Sequence, residues 1–245
     1  MRRTTLTALV ASALALLAGG RADVAHALNV YAATSLTNVL PKIDSAPRYS
    51  FAGSNTLAAQ NEQGAPADVF ASANMTLPRQ LNAKGLCGKA VVFTRNALVI
   101  VLPKSNPARI HSVYDLTKRG VKVDIAAAGV PVGSYTLRAL KNLGLTARVL
   151  PNVVSRETDV REVLAKVALG EADAGFVYAT DAKTVPGRVI ALKLPARAQP
   201  DVRYGICVVS SSANKRAAQA LVSRIIAPAG QAKLIAAGFL PRVER

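Results

Sequence analysis

The stretches YAATSLTNVL (31–40) and FAGSNTLAAQ (51–60) share one pattern: a strand-like start, then small residues, then a hydroxyl-rich helix start. The pattern places Ser35 and Ser54 in the first turn of a helix, where backbone N–H groups have no acceptor within the helix. That end of a helix also carries the positive end of its dipole, so it attracts an anion without any basic side chain. Both stretches therefore predict an anion-binding turn on an α/β scaffold.

Two later segments repeat this pattern, namely GVPVGSYTLRAL (129–140) and ETDVREVLAKV (157–167). In the second of them, Thr158 and Asp159 are good candidates for the helix cap just before Val160. A serine or aspartate at one helix start is usually only a cap. Four such turns in a single chain favour a captured anion.

Strand-like and helix-like segments alternate along the chain, which is typical of parallel βα units and predicts an α/β fold. The predicted strands are 28–33, 48–53, 68–73, 97–103, 121–127, 147–153, 174–179, 188–194 and 204–210. The predicted helices are 35–41, 55–63, 75–84, 112–118, 133–143, 159–169, 213–226 and 229–237.

Two segments rich in proline and polar residues, LPKSNP (102–107) and LPARAQP (194–200), bracket the middle of the chain. We interpret them as two crossings between lobes, so that one lobe is discontinuous and the other is inserted between the crossings. The predicted organisation is a signal peptide, a discontinuous first lobe and an inserted second lobe: 1–27, 28–102 plus 199–245, and 103–198.

The N-terminus has the three parts of a secretory signal peptide. MRRTT is positively charged, LTALVASALALLAGG is apolar, and Ala25-His26-Ala27 fits a cleavage site flanked by small residues. The apolar run is short for a membrane-spanning helix. We therefore expect export, with cleavage near Ala27 and a mature chain that begins near Leu28.

The chain is strongly basic, with a formal net charge of +17. Segment 1–27 carries Arg2, Arg3 and Arg21 against Asp23, which leaves +15 for the remainder. The basic residues are scattered and no basic stripe is interleaved with aromatic residues. We therefore expect no nucleic-acid partner, and a basic surface that attracts anions over a long range.

Cysteine and histidine are too few for the common catalytic and metal sites. Cys87 and Cys207 are the only cysteines, and His111 is the only histidine beyond the signal segment. In an exported protein such a cysteine pair favours a disulfide over a zinc site, the alternative being two buried thiols. A lone histidine remote from the serine motifs argues against nucleophilic catalysis, so we expect no enzymatic activity and no catalytic residue.

Several motifs together resemble those of the periplasmic molybdate-binding proteins of ABC importers. The resemblance extends along nearly all of the chain after the signal segment and agrees in order and spacing. The motifs are VYAATSLTNVL (30–40), FAGSNTLAAQ (51–60), QGAPADVFASA (63–73), NALVIVLPKSNP (96–107), VPVGSYTLRALKNLG (130–144), ETDVREVL (157–164) and EADAGFVYATDA (171–182).

The resemblance implies a two-lobe periplasmic binding protein fold, with crossing strands joining the lobes and the oxyanion held in the cleft. It implies a ligand shell that comprises Ser35, Ser54, Val132, Val160 and Tyr178. The valines would contribute backbone N–H groups, the serines a hydroxyl and an N–H group, and Tyr178 its phenol.

The implied function is capture of molybdate, or of the closely related tungstate, and delivery to the membrane permease of an ABC importer. Metal would enter only as the oxyanion, without a further cofactor, and the protein would act as a periplasmic monomer. The alternatives are a two-lobe binder of another small anion such as sulfate and, more remotely, an exported enzyme.

Overall fold

The computed structural model describes residues 27–242. The predicted signal peptide, 1–27, lies outside this range except for its last residue, Ala27. The strands are β1 (Asn29–Ala33), β2 (Arg48–Ala52), β3 (Val69–Ser72), β4 (Val91–Asn96), β5 (Leu98–Pro103), β6 (Val123–Ala126), β7 (Val153–Glu157), β8 (Ala174–Tyr178), β9 (Val189–Lys193) and β10 (Val202–Val208).

Helices follow most of these strands, as the alternating pattern predicts. The α-helices are α1 (Leu40–Ile43), α2 (Ser54–Glu62), α3 (Thr76–Ala83), α4 (Pro131–Asn142), α5 (Thr146–Val149), α6 (Val160–Leu169), α7 (Ala179–Ala182), α8 (Lys215–Ile226) and α9 (Pro228–Ala236). Short 3₁₀ helices span Thr34–Leu36, Val113–Thr117, Leu150–Asn152 and Ala196–Ala198. None of the helices between residues 27 and 242 has the length and apolar character that spanning a bilayer requires.

The strands form two five-stranded mixed sheets, in the orders β2-β1-β3-β10-β4 and β7-β6-β8-β5-β9. In each sheet the first three strands are parallel, and β10 or β5 then adds in the antiparallel direction. We call the first sheet with α1–α3, α8 and α9 the first lobe, and the second sheet with α4–α7 the second lobe. This arrangement confirms the predicted α/β fold of two packed lobes.

The chain changes sheets at two neighbouring points. Asn96 ends β4 and Leu98 begins β5, so the first crossing falls at Ala97. The return crossing lies beside it, because the Gln199 side chain accepts a hydrogen bond from Leu98 N at 2.8 Å and donates one to Leu98 O at 2.9 Å. For the lobe limits we propose the predicted boundaries with one change: residues 98–102 join the second lobe, because β5 pairs with β8 and β9.

One predicted strand was wrong, one strand was missed, and the predicted helix 35–41 is a 3₁₀ turn (Thr34–Leu36) followed by α1. Residues 147–153 do not form a strand: α5 and a 3₁₀ turn occupy most of the stretch, and β7 begins only at Val153. Pro151 sits at the start of that 3₁₀ turn, where its missing N–H is not needed. Conversely, β4 was not predicted, because polar residues interrupt its apolar pattern, yet it pairs with β10 at the edge of the first sheet.

The two cysteines form a disulfide within the first lobe. Cys207 lies in β10, and Cys87 pairs with Val209, just after that strand, in an isolated β-bridge. Their Cα atoms are 6.1 Å apart, within the usual range for a disulfide. The bond links positions 120 residues apart, so the inserted second lobe lies within the loop that it closes.

Candidate oxyanion site

A small pocket lies between the two lobes, and all five residues of the implied ligand shell line it. Ser35 and Ser54 come from the first lobe, and Val132, Val160 and Tyr178 from the second. The remaining lining residues are Ala33, Thr34, Ala52, Gly53, Ala73, Val130, Pro131 and Asp159. The space in the pocket that a water-sized sphere can reach is about 10 Å³, far below the roughly 300–1,000 Å³ of sites for drug-sized molecules. It therefore suits a small ion.

Four helix starts converge on this pocket, as the repeated sequence pattern predicts. Ser54 and Val160 are the first residues of α2 and α6, and Val132 is the second residue of α4. Ser35 lies in the 3₁₀ helix that follows β1. Backbone N–H groups in a first turn have no acceptor within their own helix. They are therefore available to an anion at the positive ends of these helices.

Each serine hydroxyl has a hydrogen-bond partner outside the proposed ligand shell. Ser54 Oγ accepts from Ala73 N at 3.1 Å, which leaves the hydroxyl hydrogen free for a ligand. Ser35 Oγ lies 2.9 Å from the phenol oxygen of Tyr204. Both serines are nearly inaccessible to solvent, at 4% and 1% exposure. These hydroxyls are therefore held in place beside the pocket and not solvated.

Tyr178 is the last residue of β8, at the edge of the second sheet that faces the pocket, and its side chain is buried. Within residues 27–242 its phenol oxygen has no hydrogen-bond partner. Burial raises the pKa of Tyr178 well above its usual value, so the phenol stays neutral and keeps its proton. An unpaired buried hydroxyl is costly, and an anion in the pocket would provide the missing acceptor.

No lysine or arginine is among the residues that line the pocket. The one ionisable acid there is Asp159, which caps α6 by accepting from the backbone N–H groups of Arg161 at 2.6 Å and Glu162 at 3.2 Å. The Arg161 side chain turns away and bonds Asp181 at 3.0 Å. The sequence indicates Asp159, together with Thr158, as a candidate helix cap but not as a pocket wall. Burial raises the pKa of Asp159.

The two lobes meet closely at the edge of the pocket. A Cβ atom added to Gly53 would lie 2.3 Å from the carbonyl oxygen of Thr158 on the opposite lobe. Only glycine allows the two backbones to approach this closely. The structure therefore has a closed cleft, with both sides of the pocket in place around one ion-sized space.

The residues considered for other chemistry do not assemble elsewhere. His111 is exposed, and its backbone N–H donates to Asp115 in the loop before the 3₁₀ helix 113–117. Over residues 27–242 no group of three or more histidine, cysteine or acidic side chains could hold a metal ion. The predicted site residues instead come together at the oxyanion pocket.

Comparison with known proteins relates this chain to solute-binding proteins. The model of a family described as bacterial extracellular solute-binding proteins matches residues 28–240. The molybdate-binding protein ModA of Mycobacterium tuberculosis is 36% identical over 225 residues, which cover 88% of this chain and 85% of that protein. These matches confirm the resemblance found in the motifs.

Solved structures agree with the observed fold. The substrate-binding domain assigned to a molybdenum ABC transporter from Clostridium difficile has a TM-score of 0.65 and 29% identity, covering 89% of this chain and 99% of that one. The periplasmic molybdate-binding protein of Azotobacter vinelandii has a TM-score of 0.78 and 24% identity, covering 88% and 100%. At this identity, the similarity to the Azotobacter vinelandii protein supports the fold and not the function.

Proposed function

Because this chain belongs to the family of bacterial extracellular solute-binding proteins, we propose that it captures molybdate, or tungstate, and delivers it to an ABC importer. The observation that carries the proposal is the convergence of donors from both lobes on one small pocket that lacks basic side chains. The molybdate-binding name of its relative in Mycobacterium tuberculosis and the transporter assignment of the Clostridium difficile domain support the same choice.

In this proposal Ser35, Ser54, Val132, Val160 and Tyr178 form the ligand shell. Three α-helix starts at about half a positive charge each supply roughly one and a half charges toward a dianion, and the short 3₁₀ turn at Ser35 adds donors without a comparable dipole. The serine and tyrosine hydroxyls add donors, and the neutral phenol of Tyr178 gains an acceptor. No lysine or arginine contacts the bound ion.

The pocket is suited to a fully ionised tetrahedral dianion. Phosphate near neutral pH retains a proton that needs an acceptor, and no side chain of the proposed ligand shell is a carboxylate. Sulfate has the required charge but shorter bonds to oxygen, so it leaves donors unsatisfied at about 1–3 kcal/mol each. We therefore expect molybdate and tungstate to bind best.

The proposed transport role implies a cellular location and a set of binding partners. We propose that the signal segment is cleaved near Ala27 and that the mature monomer acts in the periplasm. Its partners are the oxyanion and the membrane permease of an importer. The protein has no enzymatic activity and no nucleic-acid partner.

Thermal unfolding of the mature protein against molybdate, tungstate, sulfate and phosphate tests this function. At a thousandfold excess over Kd, molybdate should stabilise the folded state by about 4 kcal/mol. For a chain of this size that raises the Tm by about 8–16 °C. The Ser35→Ala/Ser54→Ala variant should lose most of the shift, whereas Ser211→Ala, on an exposed loop, should retain it. Equal shifts with sulfate or phosphate would reject the assignment.

A further inference from the structure

A row of buried polar side chains lies behind Ser35, outside the pocket wall. The Tyr204 phenol is 2.9 Å from Ser35 Oγ, and the Asn96 amide nitrogen donates to that phenol at 3.4 Å. The same nitrogen donates to Thr180 Oγ1 at 2.8 Å. All four side chains are at most 5% exposed. Since Asn96 and Tyr204 flank the two crossings, the row runs from the first lobe to the second.

The contacts of Asn96 fix the direction of one hydrogen bond in this row. Its amide oxygen accepts from Ala97 N at 2.9 Å, so its nitrogen is the atom that faces Tyr204. The phenol oxygen of Tyr204 thus accepts from Asn96, and its own hydrogen is available to Ser35 Oγ. If the Ser35 oxygen accepts the hydrogen bond from Tyr204, the single hydrogen of the serine hydroxyl is left for a ligand.

Tyr204 also supports the other side of the pocket. Its ring meets the ring of Tyr178 edge to face, with centroids 5.6 Å apart. Phe93 and Phe239 pack against it in the same way at 6.1 and 5.6 Å, so the ring has little freedom to turn. Burial raises the pKa of Tyr204 well above its usual value, and the phenol therefore keeps the hydrogen that it donates.

We infer that Tyr204 is a positioning residue for the oxyanion site: it donates to Ser35 Oγ and thereby directs the Ser35 hydroxyl hydrogen at the bound anion. This inference rests on the proposed function, because it assigns Ser35 a place in the ligand shell. Tyr204 does not line the pocket, so it acts through Ser35.

Tyr204→Phe removes the phenol oxygen and keeps the ring that packs against Tyr178. Asn96 retains Thr180 as an acceptor, so its amide is not left unpaired. The variant should bind molybdate about tenfold more weakly, since one directed hydrogen bond to a charged ligand is weakened. Tyr49→Phe is the matched control: its phenol donates to the Asp44 carbonyl oxygen at 2.7 Å in the first lobe, away from the pocket, so its Kd should be unchanged.

A double-mutant cycle separates positioning from general structural support. Tyr204→Phe should lose most of its effect in a Ser35→Ala background, because the hydroxyl that it directs is gone. It should keep its full tenfold effect in a Ser54→Ala background. Thermal shifts up to millimolar molybdate measure Kd in every variant, including the weakest binders.

The outcomes distinguish this inference from the function on which it rests. If the wild-type protein does not respond to molybdate, the proposed function fails. If the wild-type protein binds but Tyr204→Phe binds within twofold of it, the positioning role is rejected. Equal effects of Tyr204→Phe in the Ser35→Ala and Ser54→Ala backgrounds would also reject it, because the loss would then not pass through Ser35.

Discussion

The two sides of the pocket offer donors of different kinds. The first lobe presents two side-chain hydroxyls, from Ser35 and Ser54, each with a hydrogen-bond partner behind it. The second lobe presents the backbone N–H groups of two valines, together with one phenol. Substitution can remove a side-chain donor at once, whereas a backbone donor survives almost any substitution. The chemistry of the first lobe should therefore depend on residue identity and that of the second on backbone geometry.

The bodies of the lobes differ as well. The first lobe contains the disulfide, and its buried Asp68 accepts from Asn29 N, Ser212 Oγ and Asn214 Nδ2. The second lobe contains buried Asp124, and neither of its carboxylate oxygens has a hydrogen-bond partner within residues 27–242. We therefore expect covalent support and a hydrogen-bonded buried acid in the first lobe, and a pH-sensitive interior in the second.

Removing the disulfide should have the largest effect on stability. The Cys87→Ala/Cys207→Ala variant loses a link between positions 120 residues apart, for which the loop-entropy model gives about 4–5 kcal/mol. The Tm should fall by about 10 °C or more. Molybdate affinity measured well below that temperature should stay within twofold, because the bond does not touch the pocket. Reductant should destabilise the wild-type protein equally and leave the variant unchanged; insensitivity of both would contradict the role.

A proline tests the backbone donor of the second lobe. Val160 is the first residue of α6, where proline is tolerated, and Asp159 before it is already extended, as proline requires. Val160→Pro should keep the helix but remove the N–H, and so weaken molybdate binding about 10- to 100-fold. Val160→Ala keeps the N–H and should bind like the wild-type protein. Equal affinities of the two variants in calorimetry would remove Val160 from the ligand shell.

An alanine tests a side-chain donor of the first lobe. Ser54→Ala removes the acceptor of Ala73 N–H and, in the proposed ligand shell, a hydrogen bond to the anion. We expect about tenfold weaker binding and about 1–3 kcal/mol lower stability without ligand. Denaturant unfolding and calorimetry measure the two effects. A Ser54→Ala variant as harmless as Val160→Ala would break the contrast between the lobes.

Asp124 should make the second lobe pH-sensitive. Its burial and the nearby charge of Glu157 raise its pKa to about 7, although Lys166 opposes the shift. The unfolded chain releases this proton near pH 4, so stability falls as the pH rises from about 4 to about 7, and the loss is complete above 7. Asp124→Asn should therefore raise the Tm at pH 8 by at least about 2 °C and bring no gain at pH 4.

Asp68→Asn is the matched control in the first lobe. It replaces a carboxylate that accepts three hydrogen bonds, so it should lower the Tm at pH 8. Thermal scans of both variants at the two pH values give the comparison. The same sign for both variants at pH 8 would show that the two buried acids are not differently supported.

Much of the fold follows from local patterns, and its exceptions have physical causes. The apolar strand β8 and the capped helix α6 were both predicted within one or two residues. The segment 147–153 looks like a strand from its apolar residues, but the turn after α4 and Pro151 make it helical. Strand β4 is stabilised by pairing with β10, more than 100 residues away, and no local pattern reports such a partner.

The residues that line the pocket were easier to predict from the sequence than the residues that hold them in place. Helix starts and the strand end at Tyr178 leave a local trace in the sequence, and the family resemblance identified the residues that line the pocket. Tyr204 leaves none, because its contact with Ser35 spans 169 positions. Asp159 was identified as a cap, but its place in the pocket wall depends on how α6 approaches the first lobe.

The approach of Gly53 to Thr158 has a kinetic consequence. With the two backbones this close at one edge of the pocket, we expect a bound ion to leave only when the lobes separate. Dissociation should then proceed at the frequency of lobe opening, and residence time should depend on the crossings at Ala97 and Gln199 as much as on the donors. A permease that holds the lobes apart would thus set the rate at which the ion is handed over.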